Sequence, residues 1–287
     1  MTHPDPTVRR LSVFPVKSLG ASHPDTVEIT SEGALSLDRT YAIVARPSGE
    51  PYDPDEASPH GDYINGKRTA AVHRLRSVFD PEAETVTLRV AGSDDAETFD
   101  IPSPALDAWL TEYFQEPVSV RAEPVGGHPD HRRLGLTGPS VVSTATLREV
   151  ASWFDPDEID IDSIRRRFRA NIEIDGVPPF WEDRLYADHG EAVAFRIADV
   201  RLDGVEPCER CVVPTRDPDT GRENDGFRER FIQKRRATRP DWLESDRFDH
   251  DFRLMVITDV PESERGKQIA VGDSVEVGGI HQFDPAL

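Results

Sequence analysis

Short β-type runs, each cut off by turn residues, recur from one end of this sequence to the other. Residues 10–16 alternate loosely and leave through Lys17-Ser18-Leu19-Gly20. Residues 26–29, 41–44, 85–90 and 140–143 have the same β-type composition, as do 168–174, 193–197, 200–202 and 211–213. Residues 269–277 form a turn and a last strand that could close a barrel. Helical spacing is rarer. It occurs over 105–114, with Leu106, Trp109, Leu110 and Phe114 on one side, and over 145–153, with Leu147, Val150 and Trp153. Residues 48–66 are rich in Pro, Asp and Gly and read as a long loop, and 123–130 reads as a boundary or surface loop. The pattern predicts a β-rich α+β protein, barrel-like, with few helices. At 287 residues it has room for a sizeable core in two domains or one large one.

Charge and composition narrow the function. The formal net charge is -20, which opposes nucleic acid as a partner, since phosphate contacts need a basic face. No apolar run is long enough to span a bilayer, and the opening Met1-Thr2-His3-Pro4-Asp5-Pro6 lacks the basic and apolar stretches of a signal peptide. A cytoplasmic protein with no membrane partner is the expectation. Of 34 basic side chains only Lys17, Lys67, Lys234 and Lys267 are lysines. An acid-rich, lysine-poor surface suits a salty cytoplasm that screens self-repulsion, so a halophilic source is expected.

The only cysteines are Cys208 and Cys211, in Pro207-Cys208-Glu209-Arg210-Cys211-Val212-Val213-Pro214-Thr215. A disulfide scaffold would need more of them. Four readings are open. Zinc would need histidines to complete the tetrahedron, and His128-Pro129-Asp130-His131 has ligand-like spacing, although a polar surface loop also accounts for it. A thioredoxin-like dithiol would need a helix opening after the pair, where Val212-Val213-Pro214 stands instead. One thiolate on a soft metal centre, with Arg210 balancing its charge or an anionic cofactor group, is the third. Two inert buried thiols are the fourth.

Several segments could grip an anion. Lys17-Ser18 offers a point charge and a hydroxyl donor at a strand exit. Arg39 could reach an anion or pair with Asp38. Leu136-Thr137-Gly138-Pro139-Ser140 could donate backbone and hydroxyl hydrogen bonds, or be an ordinary turn. Arg165-Arg166-Arg167-Phe168-Arg169-Ala170-Asn171 is the densest basic run. It could be a solvated patch, or a strand presenting Arg169 and Asn171 on one face to a single ligand. Asp217-Pro218-Asp219-Thr220-Gly221 lacks the later ligands of a calcium loop and reads as a turn.

In order along the chain, Val16-Lys17-Ser18, Asp38-Arg39, Phe168-Arg169-Ala170-Asn171-Ile172, Cys208-x-x-Cys211 with Asp217-Pro218-Asp219-Thr220-Gly221, and Val271-Gly272-Asp273-Ser274-Val275 resemble the MOSC superfamily with its N-terminal β-barrel-like domain, on the side of the mitochondrial amidoxime-reducing component and its bacterial relatives. The resemblance implies an N-terminal β-barrel-like domain over 1–122 packed on a MOSC β-barrel domain over 123–287. It implies a molybdenum–molybdopterin cofactor with Cys211 as the metal ligand and the catalytic residue. Lys17, Ser18 and Arg39 would hold the pterin or its phosphate, and Thr137, Gly138, Arg169, Asn171, Glu209 and Arg210 fall where the family contacts the cofactor. The implied activity is reduction of small N-hydroxylated or other N–O compounds. A cysteine-rich ferredoxin-like domain of some bacterial relatives has no counterpart here, so electrons would come from a separate ferredoxin- or flavoprotein-like donor. A cofactor or sulfur carrier without catalysis, and a zinc-binding module, are the alternatives.

Overall fold

The computed structural model describes residues 5–53, 62–123, 127–128, 136–239, 243 and 250–284. Among them are fourteen strands and four α-helices, so the β-rich α+β expectation holds.

The central element is a seven-stranded sheet in the order β1-β9-β8-β12-β11-β10-β14. It comprises β1 (Thr7–Leu11), β8 (Ser140–Ser143), β9 (Ile172–Asp175), β10 (Glu191–Ile197), β11 (Val200–Glu209), β12 (Arg253–Asp259) and β14 (Val275–Gln282). The β8–β9 pair is parallel and the others are antiparallel. The sheet curls until its first strand meets the chain entering its last. Val8 N–H donates to the Asp273 carbonyl (2.9 Å) and Gly272 N–H to the Val8 carbonyl (2.8 Å). The curl follows from the sheet's twist, and it gives two apolar faces that alternate residue by residue. Val141 and Val256 point into the interior with Leu11, Ile174, Phe195 and Leu202. Their neighbours Val142 and Ile257 point outward, into a layer formed by helices α2 (Thr144–Ser152), α3 (Ile161–Phe168) and α4 (Phe227–Thr238).

The first half adds β3 (Tyr41–Val44) paired with β7 (Ser119–Ala122), the meander β4 (Leu75–Asp80), β5 (Thr85–Val90) and β6 (Ala96–Asp100), and helix α1 (Pro104–Phe114) over their core. The halves are interleaved. β1 lies beside β9, and β2 (Thr26–Glu28) pairs with β13 (Gln268–Ala270).

Three sequence expectations change. The first strand is Thr7–Leu11, and residues 12–16 continue as an irregular run that hydrogen-bonds along residues 39–41. Residues 168–174 are not one strand. Helix α3 runs through Phe168, Arg169 ends it, and β9 begins at Ile172. Residues 211–213 do not continue as β, because β11 ends at Glu209 and Val213–Thr215 is a single 3-10 turn opened by Pro214. No helix among the described residues is long and apolar enough to cross a membrane.

Candidate functional site

Helix α3 positions the site. It starts where the Asp160 carboxylate accepts the Ser163 N–H (2.7 Å) and stops where Arg169 takes a left-handed conformation (φ 55°) and returns its N–H to the Arg165 carbonyl (2.9 Å). Glycine is the usual residue there. An L-residue costs about 1–2 kcal/mol in this region. Arg169 accepts that cost and carries its guanidinium into the first half. The group stacks 3.9 Å over the Phe14 ring, and Nη1 donates to the Leu19 carbonyl (2.7 Å).

Beside it lie Ser18 (φ 75°) and Arg39 (φ 56°), also left-handed. Arg39 Nε donates to Asp38 Oδ2 (2.8 Å) and its Nη2 reaches Asn171 Oδ1 (3.4 Å), so it pairs locally and also bridges the halves. Asp38 itself is fixed by the Phe14 N–H on Oδ1 (2.8 Å). Lys17 is buried, its N–H bound to the Tyr41 carbonyl (2.7 Å) and its Nζ 5.3 Å from the Tyr63 ring centroid. Of Lys17, Ser18, Arg39, Arg169 and Asn171, Arg39 and Asn171 are joined directly, Arg169 reaches the Leu19 carbonyl next to Ser18 in sequence, and the Lys17 amine turns to the Tyr63 ring within the first half.

Asn171 does not share a strand face with Arg169, because the helix end intervenes. Its Oδ1 accepts from Ser140 N–H (3.1 Å) and Oγ (3.0 Å), and Nδ2 donates to the Ser12 carbonyl (3.1 Å). The amide therefore fastens β8, Arg39 and the chain just after β1 together. Thr137 and Gly138 stand just ahead of β8. The Thr137 hydroxyl donates to the Glu32 carbonyl. A Cβ on Gly138 would lie 2.2 Å from the Thr258 carbonyl oxygen, so glycine is needed there for packing.

The cysteine segment is built on β11. Cys208 is fully buried under the outer helices, whereas Cys211 is half-buried, and both are free thiols. Arg210 turns inward. Its Nη1 donates to Cys208 Sγ (3.0 Å) and faces Met255 Sδ (3.4 Å), and its Nη2 donates to the Phe168 carbonyl (3.0 Å). Glu209 points out and meets His250, whose Nδ1 accepts the Phe252 N–H (3.2 Å). Nε2 therefore carries the proton toward Glu209 Oε1 (3.0 Å).

Past Cys211 the chain is fastened again. Arg167, 1% exposed, gives Nη1 to the carbonyls of Pro214 (2.9 Å) and Arg216 (2.6 Å) and Nη2 to Asn224 Oδ1 (2.9 Å). Burial pushes its pKa down to about 10. The following turn is closed by Asp217 Oδ1, which accepts the Asp219 and Thr220 N–H groups and the Thr220 hydroxyl. Asp219 then ties the halves together, receiving Arg166 of α3 and Arg76 of β4. The Arg166 guanidinium holds the Asp219 carboxyl below its ordinary range. The first half also touches this segment at Gly66, where a Cβ would lie 2.6 Å from His73 Nε2 and 3.2 Å from Val213 Cγ2.

Sequence reasoning missed Arg167, reading its run as a solvated patch or a strand. Ile161, Ile164 and Phe168 behind Asp160 carried the helical signal. The zinc reading loses its histidine. His128 is buried, its Nε2–H donating to the Arg121 carbonyl (3.0 Å), its Nδ1 facing the Tyr52 and Tyr63 hydroxyls (3.1 and 3.4 Å). Burial pushes its pKa down to about 4. His131 lies outside the described residues.

Comparison with known proteins agrees with this arrangement of parts. Over 233 residues the chain is 24% identical to a protein named molybdenum cofactor sulfurase from Caenorhabditis briggsae, covering 76% of this chain and spanning 30% of the length of that relative. Residues 5–117 match the family described as the MOSC N-terminal beta barrel domain, and residues 139–276 match the MOSC domain. The two matches account for both halves of the fold, and the chain belongs to the MOSC-domain superfamily.

Proposed function

We propose that this chain binds a molybdenum–molybdopterin cofactor, with Cys211 as the ligand of the metal, and reduces small N-hydroxylated or other N–O compounds. The observation that carries the reading is Arg169, which follows the two α3 residues tied to the cysteine segment and reaches into the first half at Leu19, next to Ser18 in sequence, where Arg39 crosses to Asn171. The donor set suits the group. A half-buried thiol suits a soft metal, and the cations suit an anionic phosphate tail. Arg210 Nε and Arg216 Nε, on either side of Cys211 in sequence, are buried without a hydrogen-bond partner.

When bound, molybdenum supplies the two-electron oxygen-atom transfer that no side chain provides. The chain's residues do the rest. The Cys211 thiol binds as the thiolate. Lys17, Arg39 and Arg169 hold the tail against the field of a chain of net charge -20. Asn171, Thr137 and Gly138 fix the walls, and Arg210 orients the strand end behind Cys211. Electrons come from a separate ferredoxin- or flavoprotein-like donor. The test is reduction of a hydroxylaminopurine by stoichiometrically molybdenum-loaded protein with a chemical electron donor. Turnover supports the reading, and a fully loaded but inactive protein overturns its catalytic part.

A second reading is a carrier that hands on the cofactor, or a sulfur species on Cys211. It is favoured by the similarity to a protein named molybdenum cofactor sulfurase. A carrier releases its cofactor to an acceptor enzyme, whereas an oxidoreductase keeps it through turnover. Metal analysis separates both from a zinc module. Among the described residues no group of three or more His, Cys, Asp or Glu side chains is placed to hold a metal. The acidic excess and the scarcity of lysine support a halophilic setting. A melting temperature that climbs with added KCl carries that proposal, and indifference to KCl defeats it.

A further inference from the structure

Cys211 is held between two shoulders, and both are tied to consecutive residues of one helix end. On the near side, Arg210 gives its backbone N–H to the Phe252 carbonyl (3.0 Å) and its Nη2 to the Phe168 carbonyl (3.0 Å). On the far side, the Val213–Thr215 turn and Arg216 offer their carbonyls to Arg167. The next residue, Arg169, leaves the helix for the cation cluster. Positions 167, 168 and 169 therefore hold the downstream shoulder, the upstream shoulder and the cradle, in that order.

The chemistry of Arg167 shows that its site is built. A guanidinium has five N–H donors in a fixed fork. Four bonds are made here, the fourth from Nε to Ser163 Oγ (3.0 Å), and the plane lies 5.1 Å from the Phe227 ring centroid. The nearest carboxylate oxygen that pairs with it, Asp217 Oδ2, is 3.9 Å away. Burying a cation with so little direct counter-charge is unfavourable unless its donors are all well used. They are used mostly on one short stretch, Pro214 to Asn224, directly after the thiol. A lysine could not span those acceptors, since it offers a point charge and no planar fork.

We infer that the C-terminal turn of α3 is a gauge that sets the spacing between the Cys211 thiol and the cation cradle, with Arg167 as its positioning residue. The inference rests on the reading that Cys211 and Arg169 serve one ligand, but the first arm of its test needs no ligand. In metal-free protein under native conditions, alkylation of Cys211 by a maleimide is followed against that of buried Cys208. Arg167→Gln speeds Cys211 labelling by at least about tenfold, the factor for a single lost charge-assisted bond where up to four are lost, while Cys208 stays protected. General destabilisation would expose both thiols together. Arg167→Lys behaves like the glutamine variant, because the fork and not the charge is needed.

Equal Cys211 labelling in folded wild-type and Arg167→Gln protein overturns the inference, as does parallel exposure of both thiols. If the glutamine variant does not fold, Asn224→Ala removes one acceptor and is judged by the same ratio. In the second arm, molybdenum retained by loaded protein after gel filtration falls in the Arg167 variants and not in Arg148→Gln, at an exposed arginine of α2. Failure of wild type to take up molybdenum would count against the cofactor reading and leave the labelling result standing.

Discussion

The cation cradle and the thiol segment solve opposite problems with the same side chain. In the cradle, Arg39 and Arg169 sit in left-handed backbone at element ends, with guanidinium groups on the surface between the halves. In the thiol segment, Arg167 and Arg210 point inward and spend their donors on carbonyls and sulfur, and none of residues 208–216 has positive φ. One region stores local strain and, under the proposed function, would keep charge near a ligand. The other spends charge on shape. Strained positions at a junction point toward ligand contact, and buried cations on backbone carbonyls point toward positioning.

The sharpest way to break the comparison is to remove one member of each region. Cys211→Ser replaces the soft ligand with a hard hydroxyl, and loss of nearly all bound molybdenum is expected by metal analysis. Arg169→Gln removes one cation among several and should weaken cofactor affinity by about tenfold, the scale of one charge-assisted contact. Equal losses would mean that the two regions do not divide the work as described. Unchanged molybdenum content in Cys211→Ser would end the ligand assignment.

A smaller effect lies in the helical layer under the thiol segment. Glu182 is fully buried, with Thr146 Oγ1 donating to its Oε2 (2.9 Å) and the Asp183–Arg235 ion pair beside it (2.5 Å). Burial, and then the Asp183 charge, push Glu182 up to about 7. The folded chain therefore keeps a proton that the unfolded chain releases near its ordinary value of 4.5. Stability should fall as pH rises from that value to about 7 and level off above it, by about 3 kcal/mol. The measurement is the difference in urea unfolding free energy between wild type and Glu182→Gln across that window. A difference that does not change with pH removes Glu182 as the cause. The cradle's arginines stay charged throughout, so cofactor affinity should not follow the same curve.

How much of this was legible follows the same division. β3, β5 and β8 are where alternation and β-branched residues put them, and α1 and α2 fall within a residue of their spacing. The cradle's residue types were legible too, because lysine is scarce here and Lys17-Ser18 and Arg39 stood out. Its shape was not. Nothing in local composition says that Arg169 ends a helix in a conformation that favours glycine. The supporters of the thiol segment were the least legible. Arg167 lies in a run of arginines, and only the helix, with Ile164 and Phe168 facing the same layer, shows which of them is buried. β1 joining the sheet of the second half was hidden as well, since the pairing of residues 7–11 with 172–175 is a long-range choice.

The smallest expected effect tests whether the cradle's strain is real. Ser18 is an L-residue at φ 75°, in the exit after β1. Glycine adopts that region freely, so Ser18→Gly relieves the backbone while making the unfolded chain more flexible. The two contributions oppose each other, and the net expectation is a gain of about 0.5 kcal/mol in urea unfolding. Cofactor affinity should move the other way, by a few-fold, because the hydroxyl donor is lost. Opposite signs in the two measurements are what a strained ligand contact predicts. A fall in both would make Ser18 a structural residue, and the contrast between a strained cradle and an unstrained thiol segment would then rest on Arg39 and Arg169 alone.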